Sequence, residues 1–232
     1  MTEDRRNIAW LSFGLAFVGG YSDAASFILA ETFTGHVTGN FVLTAISIAF
    51  QDLIFFRLIL GISLFLTGIM LSAILERLLA RKPAGSFLLT VLALEIVLIC
   101  LAYFALTSLL AVRLGLFVIC MALALGLQNG AWRGTGGITV HSTYLTGMIT
   151  SLLTSGTQRY ISKATRAAEP DPKISLLSGI WVAFIAGAAL GATLVLHYHA
   201  LGILGPALVL LALLIIEFAT IRRRPDRDPS LQ

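Results

Sequence analysis

Apolar residues run almost without interruption through this chain, and the breaks in the pattern are where polar and charged residues gather. Six apolar stretches stand out, at 8–30, 58–79, 86–106, 114–132, 174–197 and 201–221. Each is close to the roughly 20 residues a helix needs to cross a hydrocarbon layer about 30 Å thick. The runs are continuous, whereas barrel strands alternate apolar and polar positions, so helices are the predicted spanning elements. Two shorter apolar stretches, 41–50 and 144–153, lie between them, each close to a Thr-Gly pair: Thr38-Gly39 and Thr146-Gly147.

Charge decides how the short stretches are read. The Lys- and Arg-containing bunches fall at the N-terminus (Asp4, Arg5, Arg6) and at 76–82, 159–173 and 222–228. Basic residues concentrate in cytoplasmic loops, so all four bunches are expected on that side. An even number of crossings must separate consecutive bunches. Two long segments satisfy that; two long plus one short do not. The short stretches are therefore expected to be re-entrant or half-helical, which membranes tolerate where protein or a water-filled cavity surrounds the backbone. The expected fold is an all-α integral membrane protein of about six transmembrane helices, multi-pass, with both termini cytoplasmic. The first run exceeds the length of a signal-peptide core and lacks a cleavage site, so it is expected to be a retained helix.

The two halves resemble each other. Gly20 matches Gly126 and Asp23 matches Asn129; after a small difference in loop length, Thr38-Gly39 matches Thr146-Gly147. Further on, Thr67-Gly68-x-x-x-Ser72 pairs with Ala186-Gly187-x-x-x-Gly191, while Gly61 and Gly179 fall one residue out of register. The chain is thus expected to be one membrane domain, 1–232, with repeats at about 8–106 and 114–221. Three crossings per half would invert the second copy, as in secondary transporters whose sites form at the repeat interface from discontinuous helices.

Composition narrows the function classes. Hydrophobic residues make up 57% and charged residues 12% of the chain, against about a quarter charged in soluble domains. The net charge of +4 comes from residues flanking apolar runs, and no aromatic-interleaved basic patch points to nucleic acid. Cys100 and Cys120 lie inside apolar runs and read as buried hydrophobes. The sequence has no phosphate-binding loop, metalloprotease helix motif or nucleophile elbow. No cofactor, no metal and no enzymatic activity are expected.

The patterns Gly20-Tyr21-Ser22-Asp23-Ala24-Ala25-Ser26-Phe27, Thr38-Gly39-Asn40 and Gly126-Leu127-Gln128-Asn129 resemble the YoaK-type bacterial membrane proteins, domain of unknown function 1275. The resemblance spans nearly the whole chain. It implies a bacterial inner-membrane protein of about six helices and names no substrate.

Candidate chemistry centres on Asp23, deep in the first segment, where a charge costs at least about 2.5 kcal/mol. Gly19-Gly20 and Ser22 beside it are weak helix formers, so the helix is expected to unwind there. Asp23 would then bind a cation or proton, or cap a following half-helix over 24–30. His36, Thr38 and Asn40 correspond to Tyr144, Thr146 and Met148; the Thr hydroxyls would cap half-helices whose two inward N-termini favour an anion, or Thr and Gly would only close a tight hairpin. Glu95 is a second intramembrane carboxyl and a functional candidate by default. The candidate substrate- or ion-binding residues are Gly20, Asp23, His36, Thr38, Gly39, Asn40, Glu95, Gln128, Asn129, Tyr144, Thr146 and Gly147. The small-residue faces at Gly68/Ser72 and Gly187/Gly191 suit either internal packing or a homodimer contact. The leading expectation is a secondary or facilitative transporter of a small polar or charged solute. A passive channel, a lipid-modifying enzyme and a membrane scaffold are the alternatives.

Overall fold

The computed structural model describes residues 3–83, 85–132, 147, 149–150, 152–154, 156–157 and 172–222. The described elements are helices α1 (Glu3–Ala30), α2 (Val37–Ala49), α3 (Phe55–Leu79), α4 (Ser86–Thr107) and α5 (Arg113–Ala131), then α6 (Pro172–Tyr198), a 3₁₀ turn (His199–Leu204) and α7 (Gly205–Arg222). Described residues between 147 and 157 are also helical.

Five helical stretches are long and apolar enough to cross a membrane: Ala9–Ala30, Phe55–Leu79, Ser86–Thr107, Arg113–Ala131 and Ile174–Arg222. The last, of 49 residues, holds both α6 and α7. The chain breaks between them at His199, which has a φ of 51°, and restarts as Gly205-Pro206; proline suits a helix start, where its missing N–H is an orphan anyway. By contrast α2 has 13 residues, about 20 Å at 1.5 Å per residue, too short to cross. Large apolar side chains such as Phe56, Met70, Phe104, Leu196 and Leu208 stand more than half exposed. A soluble monomer rarely shows so much exposed apolar surface; a bilayer solvates it. This is a multi-pass membrane protein.

The expected break in the first segment is not there. α1 runs unbroken through Gly19-Gly20 to Ala30. These glycines serve packing rather than unwinding. α1 packs most extensively against α6, and α5 against α3. A Cβ on Gly20 would fall under 3.0 Å from the Phe184 carbonyl oxygen, and one on Gly187 under 3.0 Å from the Phe17 carbonyl oxygen. At the other crossing, Gly126 meets the Phe65 carbonyl and Gly68 the Leu123 carbonyl in the same way. In each case the carbonyl belongs to the residue three positions before the opposing glycine. The two crossings therefore share one local geometry, glycine to carbonyl in both directions, α1 on α6 and α5 on α3.

α1 and α5 form the centre. Their most apolar windows are 61% and 56% buried, against 33% and 28% for α3 and α4. Gln128 Nε2 donates to the Leu15 carbonyl at 3.2 Å and Trp132 Nε1 to Ser12 Oγ at 3.2 Å, fixing their antiparallel register. The core between them holds Leu15, Val18, Met121 and Leu125, closed by Leu92 and Ile99 of α4 and Leu210 of α7. About two turns from Leu15, Tyr21 donates its hydroxyl to the Gly202 carbonyl, tying α1 to the 3₁₀ turn.

Candidate functional site

Beyond Ala30 the backbone doubles back. Glu31 takes a φ of 53°, and residues 32–36 return alongside α1 until Thr34, Gly35 and His36 reach Asp23. Asp23 Oδ1 accepts the N–H of Thr34 at 3.0 Å and that of Gly35 at 2.6 Å. His36 Nδ1 donates to Asp23 Oδ2 at 2.5 Å. Both carboxyl oxygens are thus engaged, at a residue only 3% exposed. A buried carboxylate is tolerable only when paired and hydrogen-bonded, and here two backbone donors and an imidazole supply that.

Other side chains serve the same returning segment. Asn40 Oδ1 accepts the Phe33 N–H at 3.0 Å and Asn40 Nδ2 donates to the Phe33 carbonyl at 2.6 Å, so one amide brackets one peptide unit. The hydroxyls of Ser26 and Thr34 meet at 3.1 Å, and Thr32 Oγ1 donates to the Ala30 carbonyl at 3.1 Å. Thr32, Thr34, Ser26 and Asn40 are all buried. A buried non-helical segment has to satisfy its own polar groups, and these four do so. Gly61 of α3 backs the loop: a Cβ there would press on Thr32 and lie 3.5 Å from the Phe33 carbonyl oxygen.

The loop delivers the start of α2 to this cluster. No side chain caps α2, whose N-cap is His36, so the first-turn N–H groups keep the partial positive charge of a helix start. Asp23 lies against that end through the two peptide units just before it. The His36 ring packs against Phe33 and, across the crossing, against Phe184 of α6, with ring centroids 5.8 Å apart in each pair. His36 thus joins this loop to α6.

The family model described as "Protein of unknown function (DUF1275)" matches residues 11–216. The chain belongs to this family. The match runs from the first turns of α1 into α7, in agreement with the motifs at Gly20–Phe27 and Gly126–Asn129. No curated protein and no solved structure matches the chain.

In this DUF1275 protein the predicted residues do not form one cluster. Asp23, His36 and Asn40 come together around the loop. Gly39 leaves room for the loop: a Cβ there would lie 3.1 Å from the Phe33 ring. Gly20 belongs to the α1–α6 crossing, and Gln128 bonds across to α1 from α5. Asn129 is half-buried near the end of α5, and Glu95 is buried on α4. Tyr144 and Thr146 lie outside the described residues; Gly147 is helical. Two expectations are corrected. Asp23 does not cap residues 24–30, which continue α1; it holds the loop before α2. Thr38 does not cap a half-helix either: α2 begins at Val37, and Thr38 stands exposed in its first turn. Phe33, Thr34 and Gly35 escape a search for reactive side chains because they act mainly through their backbone.

Among the described residues no group of three or more His, Cys, Asp or Glu could hold a metal ion. The His36 pKa is raised, first by the hydrogen bond to Asp23 and also by its charge, against the opposing effect of burial. A raised folded-state value means that the His36–Asp23 pair contributes stability that is full below the unfolded value of 6.5 and lost as pH rises through the folded value. Thermal unfolding of wild type and His36→Gln in detergent should therefore diverge more at about pH 5.5 than at about pH 9. A constant gap across that range would mean that the pair does not titrate with folding.

Proposed function

We propose that the chain is a secondary or facilitative transporter of a small polar or charged solute across the bacterial inner membrane. One observation carries this reading: a helix too short to cross begins at a buried polar loop, with an uncapped first turn beside Asp23 and His36. Such a start offers N–H groups, an imidazole and the exposed Thr38 hydroxyl to a solute at membrane depth. The two like glycine crossings support two inverted three-crossing repeats, and the basic bunches support six crossings with cytoplasmic termini. Rocking of one crossed helix pair against the other would then expose the start of α2 to each side in turn. Asp23 acts here as the lock that shapes the site.

Purified protein in liposomes, screened with labelled amino acids, carboxylic acids, sugars and small cations, is expected to show saturable uptake of one class. His36→Ala should lower its uptake efficiency about tenfold, equivalent to roughly 1.4 kcal/mol of lost contact. In a chain with Cys100 and Cys120 replaced by Ala, Thr38→Cys should react with an impermeant thiol reagent from either side of the membrane. Reaction from one side only, with no uptake of any class, would sink the transport reading. Ohmic current without saturation would make the protein a channel.

A further inference from the structure

Glu95 stands apart from the site just described. It lies nine residues after the start of α4, about 14 Å along the helix and far from either end of a membrane crossing. It is 0% exposed. The residues on its own helix face, Val91, Leu92, Ile99 and Ala102, are all buried and apolar. Neither carboxyl oxygen has a hydrogen-bond partner among the described residues. The α4–α5 hairpin has a short connection at 108–112, which brings Glu95 to about the depth of Leu125 on α5.

Among the described residues no charge pairs with it. α4 packs against α5, α7, the 3₁₀ turn and, more lightly, α3. On α5 the titratable or charged groups are Arg113 at its exposed start and the half-buried Cys120; on α7 they are Glu217 and Arg222 in the last turns. The turn carries exposed His199, and α3 carries Arg57 near one end with Glu76 and Arg77 near the other. None of them pairs with Glu95. An ionised carboxylate in such a place would be prohibitively costly. The contrast with Asp23 is decisive. Asp23 has a partner for every oxygen and serves structure. Glu95 has none among the described residues, a cost that Leu or Met there would avoid.

We propose that Glu95 is a proton-exchange site. It holds a proton in the conformation described and releases it to water when α4 separates from α5 and α7. The proton leaves as the carboxylate forms and returns from water on the other side, with no other reactant. This deepens the transport reading, on which it rests, by making the coupling ion a proton.

The test uses the full chain in liposomes and infrared spectroscopy of the protonated-carboxyl C=O stretch. At about pH 7 a free glutamate is ionised and silent in that band. Wild type should show a band that shifts on exchange into D₂O, persists in Asp23→Asn and disappears in Glu95→Gln. Glutamate-selective ¹³C labelling should move the same band in the unaltered chain, which keeps the test valid if the Gln variant misfolds. A missing band, or a band that never exchanges with D₂O, overturns the proposal. Proton-driven uptake that survives intact in Glu95→Gln also overturns it while transport stands. An exchanging Glu95 band in a protein that transports none of the solutes would sustain proton exchange and remove the transport reading.

Discussion

Replacing Asp23 with alanine is expected to destabilise the protein by about 2–5 kcal/mol, one of the two largest single-residue effects in the chain. The substitution strips the N–H groups of Thr34 and Gly35 of their acceptor inside a buried loop. Each orphaned donor costs about 1–3 kcal/mol. The His36 side chain is 33% exposed, so its ion pair with Asp23 is partly screened and adds less. Asp23→Asn is expected to cost only about 1 kcal/mol. Its amide oxygen can still accept from both backbone groups, and its NH₂ can face a neutral His36. Thermal unfolding in detergent would rank the three proteins, and protease sensitivity at 31–36 should rise sharply in the Ala variant alone. If Ala and Asn variants melt together near wild type, Asp23 does not hold the loop.

The spanning helices are legible in the sequence because unbroken apolar runs of that length have few other uses. The shortness of α2 is equally legible from the placement of the basic bunches. Local conformation is harder to read. Gly19-Gly20 read as a site of unwinding because glycine weakens an isolated helix. Within the fold Gly20 lets the α6 backbone approach, and that contact outweighs the lost propensity. Thr38-Gly39 read as the segment just before a half-helix and lies inside α2. The importance of Asp23 follows from its depth in an apolar run, but its partners do not. They sit at Thr34, Gly35 and His36 because the chain reverses at Glu31, and no pattern in 30–36 announces that reversal. The same blindness hid Asn40's bracket on Phe33, a contact between a side chain and a peptide unit. Glu95 was visible as a buried charge; only the packing separates it from Asp23, by denying it every partner.

Gly20→Ala and Gly126→Ala are expected to be damaging to a similar degree, because they occupy equivalent crossings. Each added methyl would fall inside the contact limit of a backbone carbonyl, Phe184 in one case and Phe65 in the other. A carbonyl cannot swing aside as a flexible side chain can, so the helices themselves must separate. Overpacking of this kind costs typically about 1–3 kcal/mol and occasionally more. These crossings carry the main α1–α6 and α3–α5 contacts, which places both variants at or above the upper end of that range. Gly115 is the internal control. It lies on α5 with nothing within 4 Å of an added Cβ, so Gly115→Ala should be neutral or stabilise by up to about 1 kcal/mol through helix propensity. The reciprocal sites give a sharper test of this pairing. Gly187→Ala presses on the same crossing as Gly20→Ala, so the two should be non-additive, whereas Gly20→Ala and Gly68→Ala act on separate crossings and should nearly add. Additivity within a crossing, together with strong coupling between crossings, would show that the four glycines do not serve two equivalent contacts.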